Sequence, residues 1–98
     1  MKAVALITEK KNTDSAQWQF DKVMSAIAYD VDLSVVFMPN AIDQLIHVKA
    51  WNSLELYGVK DIYTIETVDS PEIQSRIPTR MIDAKQLSLM INHADIIL

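Results

Sequence analysis

Short apolar runs alternate along this chain with stretches whose apolar residues recur every three or four positions. Residues 2–8, 33–38 and 61–67 are runs of strand length, and a helix-period segment separates each from the next. A short run that is apolar throughout suits a strand buried on both faces, as in parallel sheets. Strands alternating with helices give a parallel sheet with helices on both faces. The pattern therefore predicts a single three-layer α/β/α domain over residues 1–98. Its central, mostly parallel sheet has five strands and a flavodoxin-like topology.

Local signals place the elements. Asn12, Thr13, Asp14 and Ser15 offer N-caps for a helix over 15–29, with Ala16, Phe20, Val23 and Ile27 on its apolar face and Met24 and Ala28 widening it. Pro39 and Asn40 end the second strand. A short helix is expected over 41–46 and another over 49–57, the latter with Ala50, Leu54 and Tyr57 on one face. Gly58 stands where a left-handed C-terminal cap belongs. Asp69, Ser70, Pro71 and Glu72 form a helix start, and Pro78 halts that helix. A brief strand over 79–82 follows. Asp83 then caps a helix carrying Leu87, Met90, Ile91 and Ala94, and Ile96, Ile97 and Leu98 form a last strand.

Composition excludes several kinds of chemistry. The chain holds one glycine and no cysteine. Loops that cradle phosphates rely on glycine, because backbone N–H groups must approach the ligand closely. Without a thiol there is no disulfide, no thiolate zinc site and no cysteine nucleophile. The net charge of −4, with Lys10-Lys11 the sole basic cluster, is a poor match to a nucleic-acid backbone. The apolar run after Met1-Lys2 is too short for a signal peptide and lacks its cleavage site. No apolar stretch nears the roughly 18 residues of a membrane span. A cytoplasmic location is the expectation.

Ligands on open α/β sheets bind beyond the carboxyl ends of the strands. Glu9, Lys10, Lys11, Pro39, Asn40, Thr67, Asp69, Ser70 and Asp83 are the candidates there. Helix capping accounts for Asp69, Ser70 and Asp83 unaided. His47 and His93 lack partners at metal-ligand spacing, and His93 suits the negative end of its helix. No serine sits on a glycine-flanked elbow. No catalytic residue, metal site or cofactor is expected. Trp18 and Trp51 are candidate interface anchors.

Three stretches carry a family resemblance. They are Leu33-Ser34-Val35-Val36-Phe37-Met38-Pro39-Asn40-Ala41-Ile42-Asp43-Gln44-Leu45, then Leu56-Tyr57-Gly58-Val59-Lys60-Asp61-Ile62-Tyr63, then His93-Ala94-Asp95-Ile96-Ile97-Leu98. In order and spacing the chain resembles the DsrE/DsrF-like superfamily, most of all its DsrF or TusC branch. The resemblance implies sulfur relay: hetero-oligomers pass persulfide sulfur between cysteines, for thiolation of the tRNA wobble uridine or for oxidation of intracellular sulfur. In the catalytic branch a cysteine lies at the loop-to-helix junction after the third strand. Here that junction reads Glu66-Thr67-Val68-Asp69-Ser70-Pro71, so Thr67, Val68, Asp69 and Ser70 form the family-site loop with its cysteine position lost. A negative Asp69 would also repel a persulfide anion.

The resemblance therefore implies a non-catalytic scaffold subunit. Its partners would be DsrE/TusD-like and DsrH/TusB-like subunits or further copies of itself, with no direct nucleic-acid or membrane contact. Ile42, Leu45 and Trp51 are the expected interface, together with the loop after the third strand. A small-ligand-binding module using residues 9–12, Asn40 and Asp69 is the alternative, as is a homo-oligomer with no sulfur role.

Overall fold

The computed structural model describes residues 1–65 and 77–98. Strands β1 (Lys2–Ile7), β2 (Asp32–Phe37), β3 (Asp61–Ile65), β4 (Arg80–Ile82) and β5 (Ile96–Ile97) form one sheet in the order β4-β3-β2-β1-β5. Every pairing is parallel. The α/β architecture and five-stranded central sheet follow the sequence reading. The order does not follow the flavodoxin order 2-1-3-4-5, in which β1 lies between β2 and β3. Here β1 lies between β2 and β5, and the chain steps outward from β1 to β4 before crossing back.

That path fixes the layers. Right-handed crossovers in one direction keep their helices on one face, and a crossover in the reverse direction places its helix on the other. Helix α1 (Asp14–Ala28) and the β2–β3 connection share the first face. That connection holds a 3-10 turn (Pro39–Ala41), α2 (Ile42–His47), a second 3-10 turn (Lys49–Asn52) and α3 (Ser53–Leu56). Helix α4 (Ala84–His93) covers the second face.

Register sorts the side chains between faces, because residues paired across parallel strands point the same way. Ala3, Leu33 and Ile96 form one row on the first face, and Ala5, Val35 and Ile62 form the next. Val23 from α1, with Ala41, Leu45, Trp51 and Leu54 from the β2–β3 connection, closes over them. The second face is more polar. Its rows run Val4, Ser34, Asp61, Ile97 and Leu6, Val36, Tyr63, Arg80. Arg80 donates to Asp61 Oδ1 at 3.0 Å and to the Tyr63 hydroxyl at 3.1 Å. No residue of α4 is fully buried.

Several local expectations hold. Thr13 caps α1 by accepting from the Ala16 N–H at 3.0 Å. Asp83 and Gln86 form a reciprocal capping box at the start of α4. Gly58 turns the chain at φ +80 after α3, a conformation that penalises any residue with a Cβ. The expected helix over 49–57 differs. Its first half is a 3-10 turn, which places residues three apart on one side. Trp51 and Leu54 are therefore buried, while Ala50 and Tyr57 of the expected stripe are exposed.

Candidate functional site

The carboxyl end of the sheet is built by side chains that take over where the backbone ladder stops. Beyond Ile7 the chain leaves β1, and its peptide groups need new partners. Gln19 of α1 supplies some: its Oε1 accepts from the Thr8 N–H at 3.1 Å, and its Nε2 donates to the Thr8 hydroxyl at 2.9 Å. Gln44 of α2, buried at 2% exposure, donates to the Glu9 carbonyl at 2.6 Å and accepts from the Trp51 indole N–H at 3.1 Å. Asp43 Oδ2 accepts from the Lys11 N–H at 3.2 Å. Its Oδ1 is buried without a hydrogen-bond partner among the described residues.

Glu9, Lys10, Lys11, Pro39 and Asn40 therefore frame this end, with their side chains in solvent. The backbone between them is held by α1 and α2, and the polar groups behind it are mostly committed to that task. Asp83 is committed to its capping box. Thr67, Val68, Asp69 and Ser70 lie outside the described residues. Gln19 and Gln44 escaped the sequence reading because their partners are backbone groups 11 and 35 positions away.

Gln44→Leu keeps the volume and removes both hydrogen bonds. It strands the Trp51 N–H and leaves the Glu9 carbonyl unpaired. At about 1–3 kcal/mol for each buried group left unsatisfied, we expect a stability loss of about 2 kcal/mol, read as a lower urea midpoint at unchanged slope.

Of the expected interface residues, two turn out to face the chain's own core and the third is partly exposed. Trp51 is fully buried and Leu45 is 3% exposed; Ile42 packs partly against the same core. Trp51 makes edge-to-face contacts with Phe20 at 4.9 Å and Phe37 at 5.0 Å. Its surface is spent inside the chain because the 3-10 turn rotates it inward. Trp18, by contrast, is 63% exposed on α1.

Two depressions lie elsewhere on the described surface. One lies beneath α4 at the amino ends of the strands, about 310 Å³ in volume, and Lys2, Asp32, Ser34, Asp61 and His93 give it a polar lining. The Asp61 carboxylate there is paired with Arg80. His93 Nδ1 lies 2.8 Å from the Leu89 carbonyl and donates to it, a bond within its own helix. The other is an apolar groove of about 780 Å³ between α1 and the edge strand β5, on the first face. Trp18, Tyr29, Met1 and Ile96 stand around it. Among the described residues, no cluster of histidine and carboxylate side chains could hold a metal ion, and no helix is long and apolar enough to cross a membrane.

No family model matches the chain, and no curated protein matches it. Among solved structures, the crystal structure of the ychN protein from E. coli matches with a TM-score of 0.69. The match covers 99% of this chain and 97% of that one at 17% sequence identity. At this identity the likeness carries the fold alone: the chain is built on the same parallel α/β plan.

Proposed function

We propose that this chain is a non-catalytic, cysteine-free subunit of the DsrF or TusC kind, which supports thiol-bearing sister subunits in a sulfur relay. The observation that carries the reading is a division of labour on the surface. The chain has no thiol, and the polar groups at the carboxyl end of its sheet mostly hold its own backbone. Large apolar side chains meanwhile stand in solvent. A protein so built acts by offering shape. Exposed apolar patches of this kind mark association surfaces. Served in this way, the relay would end in tRNA thiolation or in oxidation of intracellular sulfur.

Co-expression with cysteine-bearing relatives from its own source tests the reading. The expected result is co-elution as one complex. Separate elution of the chain and its relatives would contradict it. The small-ligand alternative has one observation in its favour, the unpartnered Asp43 Oδ1 at the carboxyl end of the sheet. A thermal-shift screen with nucleotides and flavins decides it; on the scaffold reading no compound raises the melting temperature.

A further inference from the structure

The hollow beneath α4 holds opposite charges that the fold leaves unmatched. Lys2 and Asp32 are register partners on β1 and β2, and both line it at the amino ends of the strands. Adjacent strands lie about 4.8 Å apart. Even so, Lys2 and Asp32 form no ion pair with each other; among the described residues the salt bridge is Arg80 with Asp61. Two positions further along the same face, Ser34 and Asp61 are partners in the next row. Arg80 takes Oδ1 of Asp61, and Oδ2 stays open.

The last turn of α4 roofs the hollow with Met90, His93 and the following Ala94. Its final carbonyls have no intrahelical donors, so this end of the helix carries partial negative charge. His93 Nδ1 is already committed to the Leu89 carbonyl. In the neutral ring Nε2 is therefore an acceptor. Asp32, Asp61, Ser34, His93 and the helix end thus offer acceptors around one part of the hollow, and the Lys2 ammonium offers donors beside them.

From this arrangement we propose that the hollow binds a free α-amino acid with an aliphatic side chain. Its ammonium lies against Asp32 and Asp61, and its carboxylate meets Lys2. The spacing of charge selects this class. An α-amino acid carries both charged groups on one carbon, so its site needs opposite charges side by side, as Lys2 and Asp32 stand on neighbouring strands. The volume agrees: about 310 Å³ is at the small end of the ~300–1,000 Å³ found for ligand pockets. Val4, Leu89 and Met90 supply an apolar wall for the side chain. A phosphate ester fits poorly, because two carboxylates would oppose it with a single lysine in its favour. The hollow lies at the opposite end of the strands from residues 9–12 and Asn40, and its ligand does not depend on any role in sulfur transfer.

Isothermal titration of the purified chain tests this with three probes: L-leucine, 3-methylbutylamine, which lacks the carboxylate, and 4-methylpentanoate, which lacks the ammonium. Leucine should bind saturably, and each analogue at least tenfold more weakly, since a site built for a polar group rejects the analogue without it. Lys2→Met should weaken leucine at least tenfold and leave the amine unchanged. Asp32→Asn should weaken leucine and the amine alike. Both side chains are exposed, so both variants should keep the wild-type urea midpoint. No saturable heat with leucine up to about 10 mM, well above the millimolar range of weak specific sites, would overturn the proposal. Amine binding as tight as leucine binding would overturn it too, and so would wild-type leucine affinity in either variant.

Discussion

Trp51→Ala should lower the unfolding free energy by about 3–5 kcal/mol, the range for truncating a buried aromatic residue. Trp51 is fully buried and packs edge-to-face against Phe20 of α1 and Phe37 of β2. It joins the helix layer to the sheet at one point. Truncation leaves a cavity bounded by both rings and removes the donor to Gln44. Small domains are stable by about 5–15 kcal/mol in total, so the variant should lose a large share of its margin. The urea midpoint should fall steeply. Trp51→Phe should fall less, since the ring contacts survive and only the indole donor is lost. A loss below about 1 kcal/mol for Trp51→Ala would show that the ring lies on the surface.

Val35→Asp should abolish cooperative folding. Val35 is fully buried in β2, with Ala5 and Ile62 as its neighbours across the sheet. A carboxylate there has no cation to pair with in the surrounding cluster of apolar side chains. Burying an unpaired charge costs several kcal/mol even after relaxation, a penalty comparable with the whole stability of the domain. The purified variant should lack a sigmoidal urea transition. Leu56→Asp is the matched control: Leu56 is 81% exposed, and its replacement should stay within about 0.5 kcal/mol of wild type. A cooperative transition in Val35→Asp near the wild-type midpoint would place β2 outside the core.

The strands and α1 were legible because burial on both faces, or along one stripe, writes itself as a run or a period. Residues 2–7 and 33–37 are apolar almost throughout, and Ala16 and Val23 mark the inner face of α1. Residues 49–57 were misread because a 3-10 turn shifts the inward set from Ala50 to Trp51. The strand order was not legible at all. Nothing in the local pattern says whether β1 takes β3 or β5 as its second neighbour.

The candidate site was harder to read than the fold. Trp51 looked like an interface anchor because sequence shows that a residue is large and amphipathic, not which way its turn faces. Trp18 and Tyr29 form a stripe through Lys22 and Ser25, whose polar side chains hide the spacing from any apolar count. Gln19 and Gln44 hold β1 through backbone groups, which have no identity in the sequence. The absence of a thiol was plain from the start, and the proposed function rests on it.

A sulfur-transfer assay with cysteine-bearing relatives from the same source, run with and without this chain, tests that function most directly. The purified chain alone should take up no persulfide sulfur, and adding it should raise the rate at which its relatives pass sulfur between them. Sulfur bound covalently to the isolated chain, or a rate between the relatives that is the same in its absence, would contradict the account.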